Sequence, residues 1–198
     1  EEVKVGFDSE YTTYAAFESL KDFHVELIPL AGPIRLLRET KDSFEIKNLK
    51  NAAALNSKGF DYVCSILRKG ISEKEAAAAL EIFWLQEGGE GISFKPHIAF
   101  GEGSSQPHYH VSDRKLRGGD IVLIDMGVVL NHYHSDMTRV VGFRSAPSLM
   151  QEIYAIVYEA YSEAVVLLSQ HGVLCVLELR LLAHLLLQRD ELVLERLH

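Results

Sequence analysis

With 198 residues, the chain has room for one full-sized domain and too little for two ordinary ones. Hydrophobic residues make up 47 % and charged residues 24 %, a globular balance and not that of a disordered chain. Lys and Arg number 20 against 28 Asp and Glu, a formal charge of -8, which speaks against a nucleic-acid partner because phosphate binding runs on basic surface.

Residues 3–7 alternate like a strand, Tyr11 to Lys21 can form a helix, and His24 to Leu30 alternates again. This strand–helix–strand unit is too small to bury a core of its own and reads as the tail of an α/β layer. Ala31-Gly32-Pro33 breaks the pattern and marks a linker. The spacing of Ile46, Leu49, Ala53, Phe60, Val63 and Leu67 predicts a long helix from Ser43 to Lys69, with Gly70 as its stop. Ser72-Glu73-Lys74-Glu75 has the form of a capping box opening a second helix, which Gly88-Gly89 ends. Within these helices, Cys64, Phe83 and Trp84 read as core. Residues 92–142 turn to strand character with glycine-rich turns, and Ser148 with Gln151 opens a further helix to about His171-Gly172. Helices around a central block of strands make the class α+β.

Residues 173–198 hold 11 leucines, but Glu178, Arg180, Arg189, Asp190 and Glu191 interrupt them. No run approaches the roughly 18 apolar residues of a membrane span, so a helix seeking a partner face is expected and a membrane is not. The chain opens on Glu1-Glu2 without a basic-then-apolar signal segment. Cys64 and Cys175 form neither a disulfide framework nor a zinc cluster, and a reducing, cytoplasmic setting is expected.

The chemistry concentrates between Ile121 and Val141. Two apolar, β-branched runs flank a polar centre, the pattern of a β-hairpin. A turn centred between Leu130 and Asn131 sets Asp125 directly opposite Asp136. Their Cβ atoms then stand roughly 4.5–5.5 Å apart, where like charges repel and a divalent cation relieves the repulsion. Ordinary strand-end and turn aspartates are the other reading. Gly101-Glu102-Gly103-Ser104-Ser105 forms a flexible segment ahead of Pro107-His108-Tyr109-His110, able to bring a histidine to a developing oxyanion or a proton in transfer. Gly101-x-Gly103 lacks the third glycine and the lysine of a phosphate loop. His110, His132 and His134 read as solvated or structural, and His97, after Pro96, carries no signal.

These stretches resemble the pita-bread metallopeptidases, in the aminopeptidase P and prolidase branch. The likeness rests on Arg38-Glu-Thr-Lys41-Asp-Ser-Phe-Glu45-Ile46, on Gly91-Ile-Ser-Phe94, and on Gly101 through Pro107-His108-Tyr109. Gly119-Asp120 to Ile124-Asp125-Met-Gly127 and Tyr133-His-Ser-Asp136-Met-Thr138-Arg139 complete it. The resemblance implies an incomplete pita-bread catalytic fold at residues 33–172. The tail of the family's amino-terminal α/β domain would precede it at 1–32, and a divergent leucine-rich tail would follow at 173–198. It implies hydrolysis of the bond before proline by a water bridging two divalent ions, manganese or alternatively cobalt or zinc. Asp125 and Asp136 are then metal ligands, and His108 binds substrate and stabilises the tetrahedral intermediate. A proline-containing peptide is the implied substrate, and homo-oligomers are expected. The family's remaining histidine and two glutamates have no matching motif after residue 142; His184, Glu191 and Glu195 stand in the wrong context. Metal binding and activity are therefore expected to be weak or absent in this chain. The alternative is a non-catalytic homologue or fragment used in binding or assembly.

Overall fold

The computed structural model describes residues 3–170. The leucine-rich stretch, with Cys175, His184, Glu191 and Glu195, lies outside them. The chain divides into two compact units between Lys47 and Asn48.

In the first unit, β1 (Lys4–Asp8) and β2 (Glu26–Leu30) pair in parallel, joined through α1 (Tyr14–Leu20). A parallel pair needs such a crossover. The Thr13 hydroxyl accepts the Ala16 amide and caps α1 at 3.3 Å. Gly32 and Pro33 do not form a loose linker. Gly32 takes φ 56° and Pro33 opens a short helix, α2 (Pro33–Glu39), because a fixed proline φ suits the first helical position.

The second unit is built on α3 (Ser43–Ile66), whose first turn lies before the division, and on α4 (Glu73–Gln86). Ala52, Leu55, Phe60 and Val63 of α3 share a buried cluster with Ala76, Ala77, Leu80 and Trp84 of α4. Cys64 and Phe83 pack against that cluster only partly buried. The helices meet closely at Gly59, where an added Cβ would strike the Trp84 indole. The capping box at Ser72 forms as its sequence indicates, with Ser72 Oγ accepting the Glu75 amide and Glu75 accepting the Ser72 amide.

Two three-stranded sheets complete the unit. One has the order β4 (His97–Phe100), β5 (Ile121–Met126), β8 (Met137–Gly142), and the other β3 (Gly91–Ile92), β6 (Val128–Leu130), β7 (Tyr133–His134). Ile98, Phe100, Val122, Ile124, Met126 and Val128 enter the same core as the helices. Helix α5 (Ser148–Gln170) follows β8. No helix among the described residues is long and apolar enough to cross a membrane.

Candidate metal centre

The hairpin exists, but its register is not the expected one. Asn131 and His132 both take positive φ, 51° and 67°, the backbone of a two-residue type I′ turn. Leu130 therefore pairs with Tyr133, and Asp125 stands opposite Thr138, not Asp136. The turn is centred one residue later than expected, which moves every pairing by two and leaves each side chain on its original face. Asp136 falls just before β8, where the hairpin passes from one sheet to the other. Gly127 makes that passage possible: a Cβ there would collide with the Ser135 carbonyl oxygen and lie 2.8 Å from the Phe94 ring. Ser135 holds the crossing, its hydroxyl accepting the Val128 amide at 3.0 Å.

The two aspartates still act on each other. Desolvation by surrounding atoms, and then the charge of Asp125, hold the Asp136 carboxyl above the usual aspartate range. No hydrogen bond or ion pair offsets this at Asp136 among the described residues. Asp125 is differently placed. Thr138 donates its hydroxyl to Asp125 Oδ1 at 2.8 Å, and His97 Nδ1 lies 3.2 Å from Asp125 Oδ2.

His97 is the residue that sequence reasoning missed. Antiparallel pairing of β4 with β5 sets it opposite Asp125, and its ring centroid lies 6.3 Å from that of His108. Nothing local at Pro96-His97 signals this; a pairing between strands 28 residues apart is needed to see it. His108 itself is exposed and takes φ 53°, a left-handed conformation uncommon for a side-chain-bearing residue.

The segment carrying His108 is not loose. Gly101–Ser105 form a 3-10 helix, and a buried carboxylate anchors both ends of the stretch. Glu73, 0 % exposed, accepts the Phe100 amide at 2.8 Å and the Ser112 amide at 2.9 Å. It also accepts the Tyr109 hydroxyl at 2.9 Å and the Ser112 hydroxyl at 2.6 Å. A second clamp follows: Arg114 grips Asp120 through two hydrogen bonds of 2.9 and 3.0 Å. Burial works to raise the Asp120 carboxyl, but the Arg114 guanidinium and the Arg117 amide outweigh it and hold it below the usual range. The glycines serve this packing. A Cβ on Gly101 would meet Arg114 at 2.5 Å, and one on Gly103 would meet the Tyr109 ring at 2.8 Å. His132, at 95 % side-chain exposure, stays in solvent at the hairpin tip beside Glu90.

Among the described residues, no group of three or more His, Cys, Asp or Glu side chains is arranged to hold a metal ion. What the site offers is a pair of carboxylates. One is poised by two hydrogen bonds, and the other is left short of them beside a like charge. That donor set suits a divalent cation, since oxygen ligands and uncompensated negative charge are what a hard cation seeks.

Residues 47–185 match the model of metallopeptidase family M24. The chain belongs to this family. The M24 match runs past Gly172, into the stretch expected to be a divergent tail. The uncharacterized peptidase YqhT of Bacillus subtilis is 34 % identical over 160 residues, covering 79 % of this chain and 45 % of that protein. Among solved structures, the X-Pro aminopeptidase of Thermotoga maritima superposes with a TM-score of 0.77 at 30 % identity, covering 82 % of this chain and 47 % of that one. The prolidase of Pyrococcus furiosus gives 0.73 at 33 % identity, over 82 % and 48 %. The α+β architecture is thus that of the M24 pita-bread catalytic domain. The chain spans about half the length of the curated relatives it matches.

Proposed function

We propose that this M24 chain carries the front half of an Xaa-Pro peptidase site, in which Asp125 and Asp136 hold divalent metal and His108 meets the substrate. The observation that carries the reading is the hairpin register that sets Asp125 opposite Thr138, two residues from Asp136, so that the charge of Asp125 reaches Asp136 within a chain of this family. Manganese is the cation we favour, with cobalt or zinc as alternatives. When bound, such ions supply a water of lowered pKa and polarise the scissile carbonyl.

The chain's own residues do the rest. Thr138 donates to the Asp125 carboxylate and holds one of its oxygens before a cation arrives. The Glu73 clamp holds the His108 segment, which keeps the imidazole available to donate a hydrogen bond to the oxyanion that develops as a peptide bond is attacked. Preference for proline after the scissile bond is part of the proposal and is supported by the X-Pro aminopeptidase and prolidase neighbours. A cytoplasmic setting and self-association into homo-oligomers are further parts of the proposal.

Among the described residues no third His, Cys, Asp or Glu joins the two carboxylates as a metal ligand, and such a pair binds a divalent ion weakly. Purified chain with Mn2+ and an Xaa-Pro dipeptide is therefore expected to release little or no amino acid; robust, metal-dependent release would show the site sufficient as it stands. The alternative, a non-catalytic member used in assembly, is favoured by Leu149, Ile153, Ile156 and Val157, all exposed on α5. Light scattering tests it: a strictly monomeric chain removes its support, and removes self-association from the first reading as well.

A further inference from the structure

We propose that His97 is a positioning residue for Asp125, setting the carboxylate's orientation and through it the affinity of the centre for divalent metal. The proposal rests on the reading of Asp125 and Asp136 as metal ligands and adds to it a residue that the family likeness does not supply.

The chemistry of the contact fixes the direction of the hydrogen bond. An ionised carboxylate can only accept. With Nδ1 3.2 Å from Oδ2, the imidazole therefore carries its proton on Nδ1 and donates it. Thr138 donates to the other oxygen at 2.8 Å. Each oxygen of Asp125 thus receives one donor, and a carboxylate offers about four lone-pair sites, so lone pairs remain on both for a cation. Thr138 alone would leave the carboxylate free to turn, because the terminal torsion of aspartate is broad and roughly two-fold. The second hydrogen bond removes that freedom.

His97 is itself well held, which a positioning residue requires. Its side chain is 17 % exposed, the Phe94 ring lies 6.2 Å away and the His108 ring 6.3 Å. The strand that carries it continues into Ile98, Ala99 and Phe100, all fully buried, and Glu73 binds the Phe100 amide. The ring is packed and in contact with Asp125 without a metal, so little freedom is lost at binding. Partners of this kind, behind a metal ligand, typically change metal affinity by about 10–100-fold.

The test is calorimetric titration of Mn2+ into the full 198-residue chain, at millimolar metal, for the wild type, His97→Leu, His97→Asn and Asp125→Asn, with a melting curve for each. Leucine removes the donor, whereas the asparagine amide can stand where Nδ1 stood. His97→Leu is expected to weaken Mn2+ binding by about 10-fold or more, and His97→Asn to stay within about 3-fold of wild type. Should His97→Leu unfold the chain, long-range 1H–15N correlation on the metal-free wild type gives the second readout. His97 is expected to be protonated on Nδ1, with a ring signal that Asp125→Asn perturbs. Equal Mn2+ affinity in His97→Leu and wild type, failure of asparagine to rescue, or an Nε2-protonated His97 each overturns the proposal and leaves the aspartate pair standing. A wild-type chain that takes up no Mn2+, or an Asp125→Asn variant that binds as well as wild type, overturns the reading of the pair and this proposal with it.

Discussion

Glu73 and Asp136 are both acidic residues of the same unit, and the fold treats them in opposite ways. Glu73 is wholly buried at the first turn of α4 and collects four hydrogen bonds from three residues. The helix N-terminus adds a favourable field for its negative charge. Asp136 keeps contact with solvent, yet it has no donor among the described residues and feels the charge of Asp125. A carboxylate that serves the fold is given every partner it can use. Asp136 is left without such partners among the described residues, and on the reading proposed above a bound cation would compensate its charge.

The contrast can be broken from either side. The largest effect is expected from Glu73→Ala, which strands the Phe100 and Ser112 amides together with the Tyr109 hydroxyl. Urea denaturation should register a loss on the order of 3–5 kcal/mol, and a loss below about 1 kcal/mol would erase the difference between the two carboxylates. Gly127→Ala, which drives a methyl group into the Ser135 carbonyl, should cost about 1–3 kcal/mol in the same measurement. Ser72→Ala removes the cap of α4 and should cost about 1 kcal/mol.

Its partner Glu75 is held down to about 2 by the Ser72 amide, then the Ser72 hydroxyl, then Lys115. A depressed carboxyl gives its full stabilisation above the ordinary glutamate value and loses it as pH falls through about 2. The gap in melting temperature between wild type and Glu75→Gln should accordingly narrow between pH 5 and pH 2. The smallest effect has the opposite sign. Because the folded Asp136 carboxyl is raised, its ionisation costs stability above that raised value and nothing below the ordinary one. Asp136→Asn should therefore raise the melting temperature of the metal-free chain at pH 7, and the gain should shrink as pH is lowered into the ordinary aspartate range. A variant less stable than wild type at pH 7 would show that Asp136 is a structural carboxylate like Glu73.

Local signals carried much of this architecture. The capping box at Ser72, the long helix after Ser43 and the alternation on both arms of the hairpin are written in short stretches of sequence, and the structure follows them. The register escaped because its turn residues are Asn131 and His132. Asparagine accepts a left-handed backbone readily, but a histidine beside it does not announce one. Gly127, which permits the sheet crossing, looks in the sequence like any strand-end glycine. Glu73 was hidden in plain view: the capping-box reading explains Ser72 and Glu75 and leaves Glu73 as a helix-opening acid. Its role depends on amides and hydroxyls that arrive from residues 100–112 only once the chain has folded. The same holds for His97, whose meaning lies in strand pairing and not in its neighbours along the chain. The spacing of Asp125 and Asp136 and the Ser-Asp-x-Thr-Arg stretch singled these residues out as candidates, while their pairing geometry was not legible.

The claim that Asp125 and Asp136 form one cation site is tested most directly by growing crystals of the chain in Mn2+ and collecting anomalous diffraction from manganese. The expected result is a manganese peak within direct coordination distance of both carboxylates, with His97 still hydrogen-bonded to Asp125. A chain crystallised at millimolar Mn2+ with no peak there, or with manganese bound away from both aspartates, would contradict it.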